Sequence, residues 1–241
     1  MVRLKVFYFC FIGLCLAGCE LKPSSYIPVA IDVKFGELIL DQTLAENRSN
    51  IEDSLPINSK QAECKTVFER LTHSSLVSNQ QAFAWSIHFI KDDSTINAFC
   101  IPGGHLFVYT GLLNTCTSED EIAGVIAHEI AHAEKRHSIN QMVQQLGLQI
   151  ILESILGINS SWIGVGTQLM QLKFSRADEL EADQYAYYLL KDKKYNTDAL
   201  LTFFHKMNQL NQVHVLEFMS THPETENRIQ AIRQLKLENE K

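Results

Sequence analysis

The sequence predicts an α+β fold that is mainly helical and contains a small mixed β-sheet. Between residues 82 and 109, short apolar or alternating segments are bounded by turn residues, which is typical of strands. Beyond residue 117, apolar residues recur at helical spacing in several long segments. The chain has 241 residues, enough for one domain with a substantial core.

The first residues indicate a targeting signal rather than part of the fold. An apolar run over residues 6–16 follows two basic residues, and Leu16-Ala17-Gly18-Cys19 resembles the bacterial lipobox. This resemblance implies that residues 1–18 are a signal peptide and that the Cys19 thiol is lipidated. A membrane-spanning helix is the alternative, but the run is shorter than the ~20 residues that cross a bilayer. Glu20, rather than an aspartate, follows the cysteine, and the resemblance to sorted lipoproteins then implies the outer membrane of the bacterial envelope, on the periplasmic side.

Residues 19–57 are predicted to form a lipid-anchored tether and an irregular segment ahead of the main domain, 58–241. Two prolines and two serines lie within residues 20–28, which is typical of a linker. Residues 30–40 resemble a strand.

Charge and cysteine content narrow the classes of function. The formal net charge of −7 argues against nucleic acid and against a polybasic membrane contact, so the lipid is the expected membrane link. In an oxidising compartment, Cys64, Cys100 and Cys116 allow one disulfide and one free thiol, and all three pairings remain open. A three-cysteine metal site is the alternative, but the CxxC spacing is missing.

The main domain is predicted to begin with a helix over residues 60–71, followed by strands over 82–90, 96–101 and 105–109. Five helices complete it, over 118–136, 139–158, 168–190, 197–210 and 223–237. The second of these is apolar, but Gln149 and Glu153 interrupt it, which favours a core or interface helix over a membrane span. Pro223 favours a first helical turn, so Thr221 or His222 is the expected cap of the last helix.

The most informative feature is His128-Glu129-Ile130-Ala131-His132. Residues four apart in a helix lie one turn above each other, so both imidazoles can bind one metal from the same face. Glu129 lies beside that face, where a general base for hydrolysis belongs. Two core histidines are the alternative, but the helix is well specified, because Ser118 and Glu121 form a capping box ahead of it.

A catalytic zinc needs three protein ligands and one open position, so a third ligand must come from elsewhere. Glu179 and Asp183 are four residues apart and share a helix face. One carboxylate could bind the metal while the other holds an imidazole N–H from behind. A solvated acidic helix face is the alternative, and spacing alone does not decide between them.

Four blocks, taken together and in order, resemble one known family. They are NAFCIPGGHLFVYTGLL (97–113), SEDEIAGVIAHEIAH (118–132), SRADELEAD (175–183) and THPETENRI (221–229). They are similar to the HtpX/BepA/LoiP-type gluzincin zinc metallopeptidases, which implies a zincin-like fold and one zinc ion per chain. Other members carry spanning helices or a tetratricopeptide domain, so this chain resembles the short stand-alone lipoprotein members.

The resemblance also implies roles for individual residues. His128, His132 and Glu179 match zinc ligands, Glu129 matches the general base, and Asp183 matches an aspartate behind the site.

Two further residues, His222 and Arg228, match a histidine and an arginine near the metal, and either could stabilise an oxyanion. In relatives the histidine can also occupy the open metal position and keep the enzyme latent, and both roles stay open.

A substrate peptide is expected to add as an antiparallel strand to an edge formed by Gly103, Gly104, His105 and Leu106, where glycines allow close approach. These expectations describe a zinc metalloendopeptidase that acts on misfolded or mis-assembled envelope proteins, with envelope chaperones or proteases as candidate partners. A chaperone-like binding module with a shut site and a structural lipoprotein with an incidental motif are the alternatives. The intact Glu129 argues against the former, and the four ordered blocks argue against the latter.

Overall fold

A computed structural model describes residues 22–51, 59–158, 173–209, 218, 220–223 and 226–239. Within these residues the α+β fold is confirmed: helices surround one small mixed sheet. The predicted signal peptide and its lipidated cysteine lie outside the described residues. No helix in the described ranges is long and apolar enough to span a bilayer.

The N-terminal part of the described chain is helical, so the strand predicted over residues 30–40 is wrong. A 3-10 turn, Pro23–Ser25, leads into helix α1, Val29–Glu46, within the segment that was expected to be irregular. Residues buried along α1 recur at helical spacing: Asp32, Phe35, Gly36, Ile39 and Thr43. A β-carbon at Gly36 would collide with the carbonyl oxygen of Pro102, so this glycine allows α1 to cross closely over the turn at residues 102–104.

The sheet has three strands in the order β1-β3-β2. They are β1, Ser86–Ile90, β2, Ala98–Ile101, and β3, His105–Tyr109. The central strand β3 pairs in parallel with β1 and antiparallel with β2. The two edges of the sheet are therefore β1 and β2.

The remaining helices follow the predicted order with shifted ends, except that the short helix α3 was not predicted. They are α2, Lys60–Thr72, α3, Thr110–Thr115, α4, Glu119–Glu134, α5, His137–Leu146, α6, Leu148–Ile155, α7, Arg176–Lys193, α8, Ala199–Gln209, and α9, Glu226–Asn239. Gly147, with φ of 82°, separates α5 from α6 inside the apolar stretch that was predicted as one helix. Ser175 begins α7 with a capping box, so residues 173–175 do not extend that helix as predicted.

The apolar core consists of two clusters. The larger is built mainly from α2, α4, α7 and α8, and the smaller includes side chains of α1, α5 and α6. Helix α4 lies at the centre of the larger cluster and also packs against β2. Cys64, Cys100 and Cys116 are buried with free thiols, so none of their three pairings is formed.

Candidate metal centre

Helices α4 and α7 bring the three predicted metal ligands together. The Nε2 atoms of His128 and His132 are 3.0 Å apart. Glu179, on α7, places Oε2 3.3 Å from His128 Nε2 and Oε1 3.5 Å from His132 Nε2. All three residues are buried. The i, i+4 spacing on α4 thus places both imidazoles opposite one carboxylate.

This donor set fits a zinc ion. Tetrahedral ligands at zinc-bond lengths of about 2.0–2.2 Å lie about 3.3–3.5 Å from one another, close to the separations between His128, His132 and Glu179. Glu129 lies beside them, fully buried, and neither of its carboxylate oxygens accepts a hydrogen bond from the part of the chain that the structure describes. Buried carboxylate oxygens without partners are costly, which indicates an ion or a reacting group at this place.

Asp183 and Arg228 lie behind the ligands. His128 Nδ1 is 3.0 Å from Asp183 Oδ1, the position predicted for the aspartate. Arg228 donates to both oxygens of Asp183 at 2.7 Å, and its Nη1 is 2.8 Å from Glu179 Oε2. Because the guanidinium faces these two carboxylates, its placement favours a positioning role over the predicted oxyanion role.

His222 lies among the ligands. Its Nδ1 is 3.1 Å from Glu179 Oε1 and 3.4 Å from His128 Nε2, while its Nε2 is 3.4 Å from Glu129 Oε1. The His222 backbone N–H donates to Phe218 O at 2.8 Å, so the residue closes a helical turn. Pro223 is not helical and the described part of α9 begins at Glu226, so neither Thr221 nor His222 caps this helix as predicted.

The charges of the cluster also suit a cation. Burial lowers the pKa of His128, but the Asp183 and Glu179 carboxylates outweigh burial and raise it to about 9. Burial raises the pKa of Glu179, yet His222 and His128 bring it well below its usual range. Burial holds the pKa of His132 far below its usual range. The metal-free cluster therefore holds a proton on His128 where a bound metal would supply positive charge.

The predicted substrate edge is wrong. His105 and Leu106 belong to the central strand, whose two sides are taken by β1 and β2. Gly103 and Gly104 form the turn before it, and the Gly104 carbonyl already accepts the Ser86 N–H at 3.1 Å. The two glycines instead adopt the positive φ angles of this turn, 86° and 90°, and leave room for α1 to approach it closely. The edge strand that packs against α4 is β2.

One residue of the site was not predicted. His137 is fully buried and its Nδ1 is 2.9 Å from His132 Nδ1. It follows His132 by five residues, which is not a spacing that places two side chains together on one helix. A sharp corner between α4 and α5 brings the two rings together, and sequence spacing does not reveal such a corner.

Known proteases resemble the chain over most of its length. The sequence profile of peptidase family M48 matches residues 58–236. The chain is 32% identical to mitochondrial metalloendopeptidase OMA1 of Schizosaccharomyces pombe, over 66% of this chain and 48% of that protein. It is 30% identical to metalloprotease LoiP of Escherichia coli, over 74% of this chain and 71% of that protein. Metalloprotease YcaL of Escherichia coli is 29% identical over 58% of each protein. The chain thus spans about half or less of the length of the mitochondrial relatives.

Proposed function

This chain belongs to peptidase family M48, and on that premise we propose that it is a zinc-dependent endopeptidase. The observation that carries the proposal is the buried cluster of His128, His132 and Glu179, with the Glu129 carboxylate beside it. Two imidazoles and one carboxylate are a donor set of catalytic zinc, and they leave one position for substrate.

The residues of the cluster divide the chemistry among them. When bound, zinc polarises the scissile carbonyl and lowers the pKa of a coordinated water. Burial raises the pKa of Glu129, which makes its carboxylate a stronger base for a proton taken from the attacking water. Glu129 then delivers that proton to the leaving amine. Asp183 and Arg228 hold His128 and Glu179 in place throughout.

A latent form of the same peptidase is the second candidate. It is favoured by His222, which lies within 3.4 Å of His128 and Glu129 in a cluster that is closed to solvent. A substrate carbonyl can enter only after His222 moves. The alternative of a pure binding module remains less favoured, because the base Glu129 is present and desolvated.

The test is cleavage of β-casein by the full-length protein in detergent. We expect zinc-loaded protein to cleave it, chelator to abolish cleavage and zinc to restore it. Glu129→Gln should retain zinc and lose about 10²–10⁴-fold in rate, because the shape is preserved and the base is removed. Glu119→Gln, on the same helix but away from the cluster, is the control and should cleave normally. A wild-type protein that binds no zinc, or a fully active Glu129→Gln, would refute this mechanism.

We also propose a cellular location, a class of substrates and a class of partners. The lipobox-like segment ending at Cys19 supports a lipid anchor in the bacterial outer membrane, facing the periplasm. The similarity to two Escherichia coli metalloproteases is consistent with a bacterial source. We propose misfolded or mis-assembled envelope proteins as substrates and envelope chaperones or proteases as partners.

The anchor is tested by Cys19→Ser in the full-length precursor. We expect an uncleaved, unlipidated protein that does not float with outer-membrane vesicles. Cys10→Ser, which alters a cysteine inside the apolar run, is the matched control and should be processed normally. Normal processing and flotation of Cys19→Ser would exclude the lipoprotein assignment.

A further inference from the structure

A sharp corner after α4 places the buried His137 against the proposed metal ligand His132. Arg136 adopts a left-handed backbone with φ of 58°, and α5 starts at the next residue, His137. The His132 and His137 rings meet edge to face, with their centroids 4.9 Å apart. Phe174 stacks on the His132 ring at 3.9 Å. The contact between the two Nδ1 atoms is therefore enclosed by protein.

Only one placement of protons suits this pair when His132 binds a metal through Nε2. A neutral imidazole has one N–H, so the His132 proton must then be on Nδ1. It donates to His137 Nδ1, which leaves the His137 proton on Nε2. His137 Nε2 faces α7, 3.5 Å from Asp178 Oδ1 and 3.5 Å from Glu181 Oε2.

We propose that His137 is a positioning residue that accepts the His132 Nδ1 proton and so fixes the tautomer and ring orientation in which His132 Nε2 faces the metal. The inference rests on the proposed zinc site, because it needs a metal at His132. His128 has a comparable partner in Asp183, at 3.0 Å. The two histidine ligands are thus held by chemically different partners, a carboxylate and an imidazole.

The carboxylates behind His137 complete the arrangement. Asp178 and Glu181 lie on α7 beside the His137 ring, and both also pair with the Lys22 ammonium. Two carboxylate oxygens therefore face His137 Nε2, on the side where its proton is required.

A second metal at His137, Asp178 and Glu181 is the competing interpretation, because their ligand atoms lie close together. Proton placement argues against it. When His132 is bound to metal, His137 Nε2 carries a proton and has no lone pair to give. The Lys22 ammonium also occupies the cation position, 3.0 Å from Asp178 Oδ1 and 2.7 Å from Glu181 Oε2.

The test compares two amides at position 137 in the full-length protein. Asparagine places its amide oxygen near the imidazole Nδ1 position and can still accept from His132. Glutamine reaches the Nε2 position and leaves the Nδ1 position without an acceptor. We expect His137→Gln to weaken zinc binding 10–100-fold, the usual effect of losing such a partner, and His137→Asn to stay within about threefold of wild type.

Zinc affinity is measured by competition with a chromophoric chelator. Absorption of the cobalt-substituted protein reports ligand geometry and should change in His137→Gln alone. His205→Gln, at an exposed position on α8, is the control for the substitution itself. Equal zinc affinity of the two position-137 variants, or tighter binding by His137→Gln, would overturn the inference. A wild-type protein without zinc would instead refute the proposed function.

Discussion

His222 lies among the proposed metal ligands and beside the Glu129 carboxylate. It contacts Glu179 at 3.1 Å and lies 3.4 Å from both His128 and the base Glu129. Phe218 stacks on its ring with the centroids 5.1 Å apart, so its position is supported from behind. A side chain so placed can either shut the site or, after a small movement, stabilise a developing oxyanion.

We expect His222→Ala to raise hydrolysis of a short fluorogenic peptide severalfold, because the closed state loses the side chain that holds it shut. The kcat and KM of the zinc-loaded variant and wild type are the measurement, with His205→Ala as control. A fall in kcat of about 10²–10³ would show instead that His222 is a transition-state donor. Unchanged kinetics with a lowered melting temperature would exclude both roles.

At the scale of whole elements, local sequence patterns predicted the helices and strands whose capping residues and apolar spacing lie within their own segments. Helix α4 has a capping serine and small residues along one side, and its N-cap, Ser118, is where the sequence placed it. Helix α1 was mistaken for a strand because the β-branched residues Ile31, Val33 and Ile39 favour extended structure and Gly36 lowers helix propensity. The reason for that glycine is a turn more than sixty residues away, which no local pattern contains.

The sheet order could not be predicted for the same reason. The sequence predicted the segments of β2 and β3, but it did not show that they pair with each other or that β1 covers the other side of β3. The site followed a similar rule. The i, i+4 spacing pointed to His128 and His132, and the family resemblance of residues 175–183 singled out Glu179 and Asp183. The corner that delivers His137 depends on packing, which neither signal contains.

At the same scale, α9 is joined to α7 by one buried arginine. Arg228 is 1% exposed and also lies over the Phe204 ring at 4.7 Å. We expect Arg228→Met to destabilise the fold by about 3–5 kcal/mol, because Asp183 and Glu179 would remain buried without their cation. Arg233→Met, on an exposed face of α9, should change stability by less than about 0.5 kcal/mol. Urea unfolding of both variants measures this, and similar midpoints would show that Arg228 does not hold the ligands.

At the scale of the molecule, the N-terminal segment, the α4–α5 corner and α7 converge beside the metal site. Arg136, at the corner, donates to the carbonyl oxygens of Ser24 and Ile27 and pairs with the buried Asp32. Lys22 reaches the start of α7, the helix that carries Glu179. Among the described residues, those nearest the proposed anchor are therefore held against the end of α4 and the start of α7, the helices that carry the proposed metal ligands.

Because the cluster joins α4 to α7, metal removal should weaken the whole fold, and more so as the pH rises. In the metal-free protein the pKa of His128 is raised to about 9, whereas an unfolded histidine titrates near ~6.5. A raised folded-state pKa contributes stability that is complete below the unfolded pKa and is lost as pH rises through the folded pKa. The melting temperature of chelator-treated protein should therefore fall between about pH 6.5 and pH 9.

Zinc takes the place of the His128 proton, so zinc binding should strengthen across this window and the zinc-saturated protein should not show the loss. Thermal unfolding of both forms across the window is the measurement. Metal-free His128→Gln is the control, and its stability should not follow the pH dependence of the metal-free wild type. A metal-free wild type whose melting temperature rises across the window would contradict the assignment. Such a rise would mean that the unfolded chain binds more protons than the folded protein there, so the buried carboxylates would not hold a proton on His128.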